Sequence, residues 1–163
     1  MKYLLVFIIT LFGSPNLYSQ ITVDEDLHQG LYFTGGFGYG SISVAGNISV
    51  SYFLKSNIGF TVGYMGDSHI YFGPDTPDDY NKSTFILVGI AESNYDPRLV
   101  FSSGVSFNKF NDSENNVGLQ LRLQAFVFKS KKDVFGLSFN AFGNINSYRN
   151  FGALTVSLNF GML

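Results

Sequence analysis

The chain predicts an all-β fold, an eight-stranded antiparallel up-and-down transmembrane β-barrel. The first observation behind this is period-two alternation, as in Leu119, Leu121, Leu123, Ala125 and Val127 set against Gln120, Arg122 and Gln124. Successive Cβ atoms of a strand point to opposite faces, so the pattern marks strands. A second is the shortage of charge, 13% of residues against about 25% in ordinary soluble domains. The third is the character of the polar face. A soluble barrel would present Lys and Glu to water there, whereas this chain offers Gly, Ser, Thr, Asn and Gln, with Arg122 the only charge in mid-strand.

Residues 1–19 read as an export signal: Lys2 gives the positive start, Leu4 to Phe12 the apolar core, and Ser14, Pro15 and Ser19 the small-residue end, with cleavage expected near Ser19–Gln20. The apolar run is about nine residues, short of the roughly twenty that a helix needs to cross a bilayer. A mature protein in a membrane must therefore cross it with strands. Residues 20–29, with Asp24, Glu25, Asp26 and His28, form a polar lead-in, and 30–163 the barrel domain.

Strand one is expected over 31–44, with Leu31, Phe33, Phe37 and Tyr39 facing away from Thr34, Gly36, Gly38 and Gly40, and a turn at 45–47. Strand two covers 48–54 and turns at 55–57. Strand three, 58–71, aligns Ile58, Phe60, Val62 and Tyr64 and leads into the longest loop, 73–83. Strand four, 84–92, alternates least clearly because Phe85 to Val88 are all apolar; it closes in a turn at 94–97. Strand five, 99–110, sets Phe101, Val105 and Phe107 against Ser102, Gly104 and Ser106. After a loop at 111–116, strand six spans 117–128 and turns at 130–133. Strand seven, 134–146, opposes Phe135, Leu137, Phe139 and Ala141 to Gly136, Ser138 and Asn140. A connection at 147–150 precedes strand eight, 154–162, in which Leu154, Val156, Leu158, Phe160 and Met162 share a face.

Up-and-down order puts connections one, three, five and seven at one end and two, four and six at the other. The longer loops fall in the odd set, the asymmetry of barrels with long extracellular loops and short periplasmic turns. Hydrocarbon cannot satisfy an open strand edge, so a sheet that crosses a membrane must close on itself. Tyr32, Tyr39, Tyr52, Tyr64, Tyr71 and Tyr148 are expected near strand ends as interfacial girdles.

A net charge of −2 and the lack of any basic run argue against nucleic acid as a partner. With no cysteine there are no disulfides and no thiolate chemistry. His28 lies in the lead-in. His69, beside Asp67 and Ser68, offers the residue types of a hydrolytic triad, but in a strand Ser68 faces away from Asp67 and His69, so a serine such as Ser83 would have to substitute. Asp75, Asp78 and Asp79 supply hard oxygen ligands without the spacing of a calcium-binding loop. A buried Arg122 needs partners, either an inward carboxylate such as Glu92 or Asn and Gln side chains. The glycines between Gly36 and Gly40 lie in a strand with no helix to follow, which suits relief of interior crowding and not a phosphate loop. No catalytic residue, cofactor or metal is expected.

Gly30–Leu31–Tyr32–Phe33, the glycine-rich 35–40 and Val156–Ser157–Leu158–Asn159–Phe160 resemble the small outer-membrane β-barrel family of diderm bacteria, the OmpX-like and related uncharacterised barrels, over 30–163. The resemblance implies a place in the cell outer membrane among outer-membrane lipid and lipopolysaccharide. It also implies that the barrel-insertion machinery reads Phe160, although Gly161, Met162 and Leu163 follow it here. The expected role is structural or surface-interaction, without catalysis or transport, and with loop 73–83 offered to an extracellular partner. The alternatives are a lipid-modifying barrel enzyme using His69 and a soluble lipocalin-like barrel that binds a ligand.

Overall fold

A computed structural model describes residues 30–54, 56–68, 80–92, 98–111, 115–130 and 134–161. Alternation becomes a single closed sheet: β1 (Gly30–Gly40), β2 (Val44–Phe53), β3 (Ile58–Ser68), β4 (Tyr80–Ala91), β5 (Leu99–Phe110), β6 (Asn116–Lys129), β7 (Phe135–Asn146) and β8 (Phe151–Gly161). Every neighbour pairs antiparallel, and β8 closes on β1. The leader, the lead-in, Tyr71 and most of loop 73–83 lie outside the described residues.

One row of paired residues runs Gly30, Phe53, Gly59, Gly89, Ser102, Arg122, Phe142, Ala153 and returns to β1 at Gly40. The register thus slips ten residues, from Gly30 to Gly40, in one circuit. Ten residues rise about 33 Å along the strands while eight strand spacings give about 38 Å across them, so the strands tilt about 40°. Tyr32 pairs with Gly161, which puts the start of β1 and the end of β8 at the end that carries the even connections.

Three boundaries and the course of β6 differ from the sequence reading, each for a physical reason. The first turn is at 41–43, not 45–47. Gly40 N–H donates to Ser43 O at 2.9 Å, and the Asp67 carboxylate accepts the N–H groups of Ile42 and Ser43 at 2.9 and 3.2 Å. Asn47, freed from the turn, points into the barrel and accepts from Thr155 at 2.8 Å. β4 starts at Tyr80 and not at 84, because Tyr80 N–H donates to Asn111 Oδ1 at 2.7 Å and its hydroxyl to Asn111 O. Residues 80–83 of the expected loop therefore belong to the wall. β8 starts at Phe151, which turns inward against Phe110 with ring centroids 5.7 Å apart. In β6 a bulge between Phe126 and Phe128 turns both Val127 and Phe128 outward.

The apolar run of β4 alternates after all. Phe85 and Leu87 point inward and are fully buried, while Ile86 and Val88 point outward. Glycine makes the room: a Cβ at Gly63, the partner of Phe85, would lie 2.6 Å from the Phe85 ring. The loop asymmetry rests on the third connection, 69–79, since the fourth, 92–98, is longer than the first and the seventh.

Candidate functional site

The barrel presents three places where chemistry could reside: its lumen, its rim and its outward wall. Among the described residues the lumen is packed with side chains. Near the even connections Tyr32, Ala91, Val100 and Phe126 pack with Phe53, Tyr32 stacking on Phe53 at 6.1 Å and meeting the edge of Phe126 at 5.7 Å. Toward the odd connections a larger cluster holds Ala45, Met65, Phe85, Leu87, Phe110, Phe142, Phe151 and Ala153. Eight strands leave an interior just wide enough for side chains, and here they occupy both ends of it.

Between these clusters lies a neutral hydrogen-bonded network around a single cation. Arg122 is 2% exposed. Its Nε donates to Asn140 Oδ1 at 3.0 Å, Nη1 to Ser49 Oγ at 3.3 Å and Nη2 to Gln124 Oε1 at 2.9 Å, and the guanidinium lies 5.7 Å from the Phe142 ring centroid. Of the two expected arrangements the amide one is found; Glu92 instead accepts the Arg98 backbone N–H. The network spreads outward from there. Gln124 Nε2 donates to Ser138 and Asn159, Thr34 donates to Asn159, and Asn140 Nδ2 donates to Ser157 and Ser138. A second group joins Asn108, Asn144, Gln120 and Ser106 near the odd connections. Most of its polar atoms are engaged with a neighbour, the condition for a buried polar network to stabilise its host, while Asn47 Nδ2, both amide atoms of Asn81 and Ser102 Oγ are buried without a hydrogen-bond partner.

Tyr32 belongs to this interior and not to a girdle. It is buried, and its hydroxyl donates to Gln124 Oε1 at 3.0 Å. Position decides the matter, since Thr34 and Gly36, which share its parity, also face inward. Tyr39, Tyr52 and Tyr64 are outward and exposed, whereas Tyr148, exposed in the last connection, packs against the inward Phe110 with centroids 5.2 Å apart. Phe128, Phe135 and Phe160 form an outward aromatic row near the even end, with centroids 6.2 and 5.3 Å apart.

At the rim, Asp67 and Ser68 do face opposite ways: Asp67 is buried and capping the first turn, while Ser68 is exposed. Ser83 points into the lumen, its hydroxyl 3.5 Å from Gln120 Oε1. His28, His69, Asp75, Asp78 and Asp79 lie outside the described residues. Among the described residues no three His, Asp or Glu side chains come together. The only sequence signal for the capping role of Asp67 is an acid at an inward position of a strand; its place opposite Gly40 follows from the fold. A Cβ at Gly40 would lie 2.4 Å from the Asp67 carboxylate.

The outward wall is predominantly apolar, with Phe33, Phe37, Ile48, Val62, Ile86, Val105, Leu119, Phe139, Leu154 and Val156 among its exposed side chains. Ionisable residues within the strands are few: Asp67 and Arg122 inward, Lys82 and Lys109 outward near the odd end, and Lys129 near the even end.

No family model matches the chain, and no curated protein does. Among solved structures, one described as "De novo design of transmembrane beta-barrels" superposes with a TM-score of 0.51 at 13% identity, over 81% of this chain and 94% of that one. That likeness is one of fold: the protein is a closed, eight-stranded, all-antiparallel barrel of the membrane-barrel type.

Proposed function

We propose that the protein resides in the outer membrane as a structural or surface-interaction barrel, with neither catalysis nor transport. The observation that carries this reading is the inversion of its two faces: a largely hydrogen-bonded polar interior, and an outward surface that is predominantly apolar between lysines near its two ends. In water such a wall would be a very large exposed apolar patch, far beyond the few hundred Å² usual for soluble monomers. In hydrocarbon it is the expected surface. From strand rise and tilt, Lys82 and Lys129 lie about 25 Å apart along the barrel axis, the height of a membrane barrel's apolar band.

The filled lumen favours a role carried at the rim over conduction or ligand storage. With the start of β1 and the end of β8 at the even end, the odd connections, including 69–79, are the ones offered to the outside. Phe160, outward in the final strand, is the residue offered to the barrel-insertion machinery. Fractionation of expressing cells tests the reading, with the membrane fraction run boiled and unboiled on a detergent gel. Recovery in the outer membrane with a faster unboiled band is expected. A protein soluble without detergent, with no shift on boiling, would overturn it.

A further inference from the structure

One cross-strand row on the outward wall reads Phe37, Gly46, Gly66, Lys82 and Lys109 from β1 to β5. Because the register slips, each step to the next strand climbs about 3 Å toward the odd connections. The lysines therefore stand at the rim and the glycines below them. Lys82 and Lys109 are directly opposed and exposed, and like charges so placed repel. Among the described strand residues the one carboxylate, Asp67, is turned inward and bonded to Ile42 and Ser43. Lys82 Nζ is instead drawn 4.6 Å from the Tyr80 ring centroid.

Below the lysines the two glycines open a groove of about 520 Å³, walled by Phe37, Ile48, Tyr64, Tyr80 and Lys82. Packing does not demand glycine at either place. A Cβ at Gly46 would come no nearer than 3.7 Å to any other atom, and one at Gly66 no nearer than 3.6 Å. The pair leaves open an apolar channel that runs up to a cationic rim.

We infer that this groove binds a membrane lipid with an anionic phosphate headgroup, the phosphate held between Lys82 and Lys109 and one acyl chain descending over Gly66 and Gly46 toward Phe37. The inference rests on the membrane reading above and adds a defined site to it. Lysines paired across neighbouring strands can turn both ammonium groups to one phosphate, which replaces their repulsion with attraction, and their apolar stems snorkel along the wall. Aromatic walls suit the chain and the upper glycerol region. Charge complementarity selects an anionic lipid over a zwitterionic one.

The test is native mass spectrometry of the full chain released from nanodiscs of equal phosphatidylglycerol and phosphatidylcholine. One phosphatidylglycerol should be retained in preference. The double variant K82Q/K109Q should lose at least about tenfold of that bound fraction, since each lysine near a membrane surface contributes roughly a fivefold preference for anionic lipid. Gly66→Leu should lower it too, by filling the groove while both lysines remain. The boiling shift reports that each variant is folded. Equal retention of the two lipids, unchanged retention in K82Q/K109Q, or displacement by inorganic phosphate overturns the inference alone. A chain that never enters the disc overturns the membrane reading with it.

Discussion

Replacing Arg122 by methionine keeps much of the side chain's length and removes its charge. Three acceptors then lose a donor, but unequally. Gln124 Oε1 still accepts from Tyr32, and the Ser49 hydroxyl can rotate, whereas Asn140 Oδ1 has no other donor among its bonds. One orphaned buried acceptor costs about 1–3 kcal/mol. The lost contact with the Phe142 ring adds about 1 kcal/mol. Against this stands relief from burying a guanidinium, which is large for a bare charge and small for one already bonded at Nε, Nη1 and Nη2. The expected net loss is about 2 kcal/mol for Arg122→Met, and about 4 kcal/mol for Arg122→Ala, which leaves a cavity as well. The chain has no tryptophan. Stability is therefore best read by β-sheet circular dichroism and by the unboiled gel band during urea titration in phospholipid vesicles. A cycle with Asn140→Leu should return a coupling of about 1–2 kcal/mol. An Arg122→Met protein as stable as the parent, or more so, would refute the reasoning: the cation would then be a net burden that its amide shell fails to offset.

The remaining predictions concern the wall, the rim and the glycines. Val62 is outward and paired with Val50 and Ile86 at mid-height, so Val62→Arg should cost about 2–4 kcal/mol in vesicles if hydrocarbon covers it; no loss in the urea midpoint would mean that the wall meets water. Asp67→Ala strands the Ile42 and Ser43 N–H groups and should cost about 2 kcal/mol in the same titration. Gly40→Ala displaces the same carboxylate, so the double variant should lose clearly less than the sum of the single losses. Gly104→Ala, whose Cβ would lie 2.1 Å from Ile86 O, should weaken or prevent the boiling shift, whereas Gly35→Ala, with nothing within 4 Å, should be neutral or stabilise by up to about 1 kcal/mol.

Strand existence and face were legible because they follow from a parity of two. Wherever one face of a strand was apolar and the other small and polar, as in Leu119 to Val127 or Leu154 to Phe160, every inward and outward assignment could be read directly. Strand ends were less legible because they depend on partners distant in sequence. Nothing local in 41–47 says that Asp67 will cap 41–43 and release Asn47 into the ladder, and nothing local in 80–83 says that Asn111 will receive Tyr80. The bulge at Phe126 and Phe128 lies in an apolar stretch where parity carries little contrast.

Tyr32 shows how composition can mislead where parity does not. Tyrosine near a strand end suggests a membrane interface, yet its neighbours of the same parity, Thr34 and Gly36, already assign it to the lumen. There its ring closes the even end against Phe53 and Phe126 while its hydroxyl reaches Gln124. The lysine pair is hidden for the opposite reason. Lys82 and Lys109 are 27 residues apart in sequence, each reads as an ordinary charge near a strand end, and only the register places them face to face above Gly46 and Gly66. Which residues share a face is a property of one strand, whereas which residues share a row depends on accumulated slip around the whole sheet. A shift of two residues between β4 and β5 would keep every face assignment and separate the lysines, leaving the barrel intact and the lipid site without its cationic pair.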